Sequence, residues 1–187
     1  MQVPLFPLNT VLFPGGPLPL RISEPRYLDM LSRCMKDDAP FGVVLIRDGG
    51  EVGPATTWHV GTLAKVTDWY QGSDGILGVT AVGTERFRLT AVAEQNDGLK
   101  LGEIEILPEP PPLDLPAEYA SLPSILDKVL DELGRLYENL ERRPTDANWV
   151  AWRFVEILPI GLEEKQAALE SDDTEACLRM IEGVLHS

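Results

Sequence analysis

The sequence has little cysteine and little histidine, and both shortages exclude classes of protein. Its 187 residues contain two cysteines and two histidines. Cys34 and Cys177 lie far apart in the chain, so neither a disulfide-stapled fold nor a zinc module is indicated. The sequence also lacks the Gly-x-x-x-x-Gly-Lys-Ser/Thr string with which many ATPases bind phosphate. We therefore expect no metal and no other cofactor, and we expect a reducing, cytoplasmic location.

Basic residues are also scarce. The chain has 16 Lys and Arg against 30 Asp and Glu, which gives a formal net charge of -14. Such a charge repels phosphate backbones, so nucleic acid is not an expected partner. Residues 1–20 carry no charge, but five prolines and a Gly-Gly pair break any helix there, and no basic segment precedes them. We therefore expect strands and turns in this segment, and no membrane partner.

Glycine and proline divide the chain into two parts. Of the 16 glycines, 13 fall before residue 103. The ten residues Leu107–Pro116 then hold five prolines, which is typical of a stiff, extended connector. These compositions predict a β-rich subdomain over residues 1–107, a proline-rich connector over 108–116 and a helical subdomain over 117–187.

Short apolar runs bounded by turn residues predict strands in the first part. Asp48-Gly49, Asp74-Gly75 and Asp97-Gly98 predict tight reversals, which favour a meander or a small barrel. One strand alternates, with Phe87, Leu89 and Ala91 expected inside and Arg86, Arg88 and Thr90 outside. The next apolar run changes phase at Gly102-Glu103, which predicts a bulge.

Helical spacing appears once in the first part and repeatedly in the second. Ser23 is the expected cap of a helix whose apolar stripe is Tyr27, Met30, Leu31, Cys34 and Met35. In the second part, one stripe runs from Leu122 to Leu140, mildly interrupted at Gly134 and closed before Pro144. Further helices are predicted over Ala147–Leu158, from near Leu162, and after Asp172, which has capping-box spacing to Glu175.

Few residues point to chemistry. Trp69 and Tyr70 lie beside the Asp74-Gly75 turn, where large aromatic side chains are typical anchors for a partner, although alternation predicts that at least one of them packs inward. Glu24 and Arg26 either contact a ligand or tie the first helix to the strands. Cys34 with His59 is the one conceivable nucleophilic pair, and packing of Cys34 in the core is the competing interpretation.

Several blocks in order resemble one known family. Pro4-Leu-Phe-Pro-Leu8, Val11-Leu-Phe-Pro-Gly15, Leu18-Pro-Leu-Arg-Ile22 and Glu24-Pro-Arg-Tyr27 resemble the opening of the amino-terminal substrate-binding domain of Lon ATP-dependent proteases. Val60-Gly-Thr-Leu-Ala64, Gly83-Thr-Glu-Arg-Phe-Arg88 and Leu158-Pro-Ile160 are similar to later blocks. The resemblance covers essentially the whole chain.

The resemblance implies an α+β fold, in which a PUA-like β-barrel with one inserted helix is followed by a C-terminal helical bundle. It also implies a non-catalytic module without the ATPase and protease parts of Lon. We expect it to bind unfolded or partly exposed polypeptides, or one specific protein partner, and to form at most a weak homodimer. A small-ligand-binding or enzymatic barrel is the alternative, because fold alone does not determine function.

Overall fold

The computed structural model describes residues 1–49, 55–72 and 74–187. These residues form two compact units, Met1–Pro108 and Glu109–Ser187. The chain mixes strands and helices, as an α+β fold does. The described part of the first unit contains β1 (Gln2–Leu8), β2 (Pro17–Ile22), α1 (Pro25–Asp37), β3 (Phe41–Gly49), β4 (Ala55–Thr57), β5 (Val60–Gln71), β6 (Leu77–Glu94) and β7 (Lys100–Ile106).

Five of the strands pair in a closed circuit. β1 pairs with β7, β7 with β6, β6 with β5 and β5 with β3, and β3 then returns to β1 in a parallel pairing. β2 lies outside the circuit and pairs with β6, while β4 pairs with β3. In a closed circuit, each strand has a neighbour on both sides along part of its length. Few strand edges are therefore left unpaired, and unpaired edges are where another strand can add to a sheet.

Two apolar clusters lie on opposite sides of the circuit strands. Every strand of the circuit contributes to the inner cluster, which comprises Val3, Leu5, Val44, Leu63, Phe87, Leu89 and Ile104. The neighbouring residues Val43 and Ala64 belong to the outer cluster, as strand alternation requires. Because both faces are buried, the apolar runs in β3 and β5 are nearly continuous.

Helix α1 covers the outer cluster. Its buried residues are Tyr27, Met30, Leu31 and Cys34, and the Tyr27 ring stacks on Phe6 of β1 with ring centroids 4.1 Å apart. The predicted stripe is confirmed for these four residues, whereas Met35 is half-buried. Ser23 does not cap the helix. Glu24 is the N-cap residue, and its carbonyl oxygen accepts from the N–H groups of Tyr27 and Leu28. Pro25 sets the first turn because its fixed φ suits that position.

Two of the three predicted reversals are confirmed. Gly75 and Gly98 have positive φ values of 79° and 89°, and each lies between consecutive antiparallel strands. Asp48-Gly49 instead ends β3, and the connection to β4 lies outside the described residues.

The predicted alternation and bulge of the β6–β7 pair need correction. Arg86 is buried, because its guanidinium donates to the carbonyl oxygen of Pro108. Ala91 is exposed, since it follows a register shift between Leu89 and Ala91. The extra residue is therefore Thr90 of β6, opposite the predicted position in β7. The apolar pattern of β7 shifts by one residue because Leu101 packs against the outer cluster, whereas Ile104 belongs to the inner cluster.

In the second unit, a 3₁₀ turn (Ala117–Tyr119) precedes α2 (Leu122–Leu133), α3 (Arg135–Glu138), α4 (Ala147–Ile157), α5 (Leu162–Glu170) and α6 (Thr174–Leu185). The single helix predicted up to Leu140 is wrong. Gly134 has a φ of 64° and ends α2, so the buried stripe is Leu122, Leu126 and Leu130. The cap of α6 is Asp173 rather than Asp172, and its carboxylate accepts from the N–H of Ala176.

Helix α4 packs against α2, α5 and α6 and carries a buried polar cluster. Arg153 and Glu156 form an ion pair 2.9 Å apart, and the Tyr137 hydroxyl donates to Glu156 at 2.7 Å. Burial raises the pKa of the Glu156 carboxyl, and the Arg153 guanidinium opposes that rise. At its start, α4 binds the proline-rich segment, since the Asn148 side chain donates to the carbonyl oxygen of Pro111.

Candidate functional site

Trp69 and Tyr70 lie near the end of β5, and both side chains are exposed. Their exposed fractions are 57% for Trp69 and 63% for Tyr70. The prediction that at least one of them packs inward is therefore wrong. The first five residues of β5 are all buried, whereas exposure dominates from Lys65 onward. Alternation buries every second residue only where a second layer covers one face of the sheet. From Lys65 to Gln71, only Val66 is half-buried, and it packs against the outer cluster.

The outer half of β5 is also an edge. β5 pairs with β3 only from Thr62 to Ala64, because β3 begins at Phe41, which is the partner of Ala64. Its pairing with β6 continues to Gln71. Within the described parts of the chain, the segment Lys65–Gln71 therefore has a strand on one side only. We call this segment the β5 edge.

β2, which lies on the other side of β6, also has an outer edge, but its sequence differs from that of the β5 edge. β2 pairs with residues 77–82 of β6 and carries Pro17 and Pro19. Proline has no N–H to donate, and it occurs in sheets mainly at edges, where it discourages the addition of another strand. The β5 edge contains no proline. Of the two outer edges of this β2–β6–β5 ribbon, only the β5 edge lacks proline, although a register shift between Val66 and Asp68 interrupts its pairing with β6.

The ring of Tyr70 lies against the backbone of Gly78 in β6, its cross-strand partner. A Cβ atom at Gly78 would come within 2.2 Å of two Tyr70 ring atoms, so only glycine leaves room for the ring there. Aromatic side chains often cover a cross-strand glycine in this way. The contact holds Tyr70 in place although the side chain is exposed.

A groove of about 210 Å³ lies beside Trp69, between the end of α1 and the β5 edge. Cys34, Met35, Ala39 and Val66 supply its apolar lining, with Trp69 among the residues that complete it. Lys65 and Asp38 form an ion pair across it with 3.0 Å between the nitrogen and the oxygen. Asp38 takes the left-handed conformation that ends α1, with a φ of 52°. The lining of the groove thus combines apolar side chains with charges of both signs.

Glu24 and Arg26 do not belong to this surface. Arg26 donates to Glu24 at 2.8 Å and to the carbonyl oxygen of Gly98 at 3.1 Å, and its guanidinium lies 4.8 Å from the Tyr27 ring centroid. They therefore tie the start of α1 to the β6–β7 turn. Asp38 follows the other end of the helix, about 18 Å away at 1.5 Å per residue.

The conceivable nucleophilic pair is not assembled. Cys34 belongs to the outer apolar cluster, whereas His59 is exposed at the start of β5. Burial raises the pKa of the Cys34 thiol, which makes it a poor nucleophile. Among residues 1–49, 55–72 and 74–187, no three His, Cys, Asp or Glu side chains cluster in a way that would hold a metal ion. In the same residues, no helix is both long and apolar enough to span a membrane.

Sequence reasoning identified the two aromatic residues but missed the edge and the groove. The length of a pairing is decided by where the partner strand starts, and nothing near Trp69 in the sequence reports that β3 begins at Phe41. Pro17 and Pro19 were the available signal, because they mark β2 as an outer strand of this ribbon. Asp38 carried no signal of its own.

Comparison with known proteins gives consistent matches. The family model described as the ATP-dependent protease La (LON) substrate-binding domain matches residues 2–187. Lon protease 2 of Myxococcus xanthus is 26% identical over 96% of this chain and 23% of its own length. Protein cereblon of Xenopus tropicalis is 31% identical over 58% of this chain and 24% of its own. The chain thus spans about a quarter of the length of these relatives.

Solved structures match over nearly the full length. The crystal structure of a Lon N-terminal domain protein from Xanthomonas campestris has a TM-score of 0.80 and 31% identity, and 98% of each chain is covered. The N-terminal domain of Mycobacterium avium complex Lon protease has a TM-score of 0.66 at 16% identity, and covers 98% of this chain and 97% of its own. At that identity, the second match bears on the fold alone.

Proposed function

Because the chain belongs to the substrate-binding domain family of ATP-dependent protease La (Lon), we propose that it is a non-catalytic module that binds unfolded or partly exposed polypeptides through Trp69 and Tyr70. The observation that carries this proposal is the exposure of both aromatic side chains on one strand, at 57% and 63%. Aromatic residues of this size are enriched among the residues that dominate protein interfaces. A specific folded partner that presents an exposed segment is a case of the same function.

The architecture of the proposal follows the strand pairings. The closed circuit of five strands supports a PUA-like β-barrel over residues 1–107, and the helices of residues 117–187 support a helical bundle after a connector at 108–116. The net charge of -14 supports a role without nucleic acid. A cytoplasmic location and, at most, weak self-association complete the proposal.

A groove elsewhere in the first unit favours a second candidate, the binding of a small apolar ligand. This groove has a volume of about 300 Å³ and lies between β1, α1 and the β6–β7 turn. Its apolar lining includes Met30, Leu99 and Leu101. The size is at the lower end of typical ligand pockets, whereas the interior of the strand circuit is filled by the inner cluster.

Fluorescence anisotropy with one labelled model protein tests the first function. The labelled protein is offered both folded and permanently unfolded, and a labelled RNA of similar size serves as a control. We expect binding to the unfolded form only. Trp69→Ala and Tyr70→Ala should each weaken this binding by about tenfold or more, because truncation of a dominant interface residue removes about 1.4 kcal/mol or more.

Leu133→Ala is the matched control variant. Leu133 has an exposed fraction of 44% and lies in the second unit, so its truncation should leave binding unchanged. All three variants should keep the melting temperature of the parent within a few degrees, since exposed side chains contribute little to stability. Equal binding of folded and unfolded forms, or full binding by both aromatic variants, would contradict the proposed function.

A further inference from the structure

The β5 edge points to the way in which a polypeptide would bind, and this inference rests on the proposed function. We propose that the β5 edge, Lys65–Gln71, takes up an extended partner segment as an additional strand. We further propose that this segment alternates apolar side chains, which enter the groove beside Trp69, with basic side chains, which face Asp68 and Tyr70.

The backbone of the β5 edge can accept an added strand. From Lys65 onward β5 has β6 on one side and no described strand on the other. The N–H of Trp69 donates to a carboxylate oxygen of Asp68 at 2.9 Å. The Asp68 carboxylate thus occupies the position from which a carbonyl oxygen of an added strand would accept the Trp69 N–H. Strand addition of this kind supplies main-chain hydrogen bonds that are independent of sequence.

The two faces of the β5 edge present different side chains. Successive side chains of a strand point to opposite faces, so Trp69 faces one side while Asp68 and Tyr70 face the other. A register shift between Val66 and Asp68 interrupts this alternation and places Val66 on the same face as Trp69. The groove with its apolar lining from Met35, Ala39 and Val66 adjoins Trp69. The two charges in the groove, Asp38 and Lys65, already pair with each other, so we expect a partner side chain on that face to be apolar and to contact the apolar lining. The volume of the groove, about 210 Å³, is sufficient for one or two aliphatic side chains.

The face opposite the groove carries a negative charge. Asp68 is exposed, and its carboxylate accepts from a backbone N–H with no ion pair to it among the described residues. An exposed aromatic ring beside a carboxylate attracts a cation, through the ring face as well as through the charge. Lysine or arginine in the partner fits this pair. The net charge of -14 brings such segments to the protein faster but does not select this face.

The test uses the full chain and a fluorescein-labelled hexapeptide of alternating lysine and valine. A peptide of the same composition with three lysines followed by three valines is the control, since it has equal charge but no alternation. We expect the alternating peptide to bind at least about fivefold more tightly. The absence of binding by the alternating peptide up to about 1 mM would overturn the inference.

Two N-methylated peptides then test strand addition itself. In an extended chain the N–H groups of alternate residues point to opposite edges, so methylation of all valine nitrogens blocks one edge and methylation of all lysine nitrogens blocks the other. We expect one methylated peptide to lose about tenfold or more in affinity and the other to stay within about twofold of the parent. Equal affinities of the two methylated peptides would overturn strand addition.

Variants connect the binding to the edge. Asp68→Asn should weaken the binding of the alternating peptide by about twofold to fivefold at low salt, as expected for an exposed charge pair. Glu85→Gln removes the same charge from an exposed position of β6 and should have no effect. Trp69→Ala should weaken binding about 30-fold. Equal effects of Asp68→Asn and Glu85→Gln would show that the peptide responds only to net charge, and would overturn the site.

The outcomes separate this inference from the proposed function. If Trp69→Ala abolishes binding of the unfolded protein while both methylated peptides bind equally, polypeptide binding stands and strand addition fails. If neither the unfolded protein nor the alternating peptide binds, both fail. If one methylated peptide alone loses affinity but the unfolded protein does not bind, strand addition stands for short basic segments and the general function fails.

Discussion

The two cysteine thiols show how local burial removes a chemistry that residue type alone would permit. The Cys34 sulfur lies 3.8 Å from the carbonyl oxygen of Pro40 and 3.7 Å from the sulfur of Met30. Cys177 is half-buried on α6, and burial, with the charge of Asp173 as a smaller cause, raises its pKa from 9.0 to about 11. A thiol reacts through its thiolate, so both residues are suppressed as nucleophiles.

We predict that neither thiol reacts readily with iodoacetamide in the folded protein at pH 8. A rise in pKa from 9.0 to about 11 lowers the thiolate fraction of Cys177 about 100-fold at that pH. The thiol loses its proton as pH rises, so the alkylation rate should increase about tenfold per pH unit and level off only near pH 11. Mass spectrometry of quenched time points measures the rate at each cysteine.

The unfolded protein in denaturant is the control, where both thiols should react with a plateau near their ordinary pKa. The Cys177→Ser variant isolates Cys34, whose pKa is raised by burial, so its thiol should react more slowly in the folded protein than in the unfolded protein. A native thiol that already reacts at its plateau rate between pH 7 and 8 would indicate an activated cysteine. That result would favour the enzymatic alternative over a binding module.

At the scale of the element, the Tyr70–Gly78 contact couples β5 to β6 at the exposed end of the ribbon. In the parent protein, Gly78→Ala should destabilise by about 0.5–1 kcal/mol, because the new methyl group must push the Tyr70 ring off the strand. In the Tyr70→Ala background the same substitution should be neutral or slightly stabilising, since alanine loses less backbone entropy than glycine on folding. Urea unfolding of the four proteins measures both free energies.

The parent, the two single variants and the double variant form a double-mutant cycle, and its interaction free energy measures the Tyr70–Gly78 contact. Gly75→Ala, at a turn glycine with a φ of 79° and open space around it, is the control, because its strain is independent of Tyr70. Its cost should therefore be the same in both backgrounds. Additive free energies for Gly78→Ala and Tyr70→Ala would contradict the contact. A weaker peptide affinity of Gly78→Ala would in addition connect the Tyr70 position to binding.

The elements also show what the sequence could and could not predict. Helix α1 and the turns at Gly75 and Gly98 depend on neighbours within a few residues, so periodicity and turn chemistry were sufficient. The exposure of Trp69 and the bulge at Thr90 depend on where distant strands begin and how they pair. The helical pattern around Gly134 predicts only a mild interruption, yet the positive φ of Gly134 ends α2. A glycine in a helical pattern does not itself reveal which conformation it takes.

At the scale of the whole molecule, the family could be recognised from blocks spread over the chain, and the match over residues 2–187 confirms it. The candidate site could be identified only in part. Trp69 and Tyr70 were visible as aromatic residues beside a turn, whereas the groove depends on the packing of α1 against strands far away in sequence. The choice of Glu24 and Arg26 rested on their prominence as charges, but their contacts hold α1 to Gly98. Whether they also bind a partner stays a prediction.

Net charge belongs to the whole molecule as well, and it predicts how salt affects stability. A net charge of -14 favours expanded states through self-repulsion, and salt screens this repulsion over roughly 10 Å at 0.1 M. Salt also screens ion pairs, which works in the opposite direction. Several described pairs are exposed on both sides, such as Arg21–Asp74 with side-chain exposures of 70% and 55%, and pairs of this kind contribute little. The pair formed by Arg153 and Glu156 is buried and is screened least.

Relief of repulsion should therefore exceed the loss of ion pairs. We predict that the melting temperature rises by about 2–4 °C, equivalent to about 1 kcal/mol, between low salt and about 0.3 M NaCl. Differential scanning calorimetry at pH 7 measures it, and KCl at equal ionic strength should give the same shift if screening is the cause. A melting temperature that falls with salt would mean that the ion pairs contribute more than their exposure indicates. The acidic charge would then stabilise the fold through its pairs, and its role in attracting basic segments would have to be measured separately.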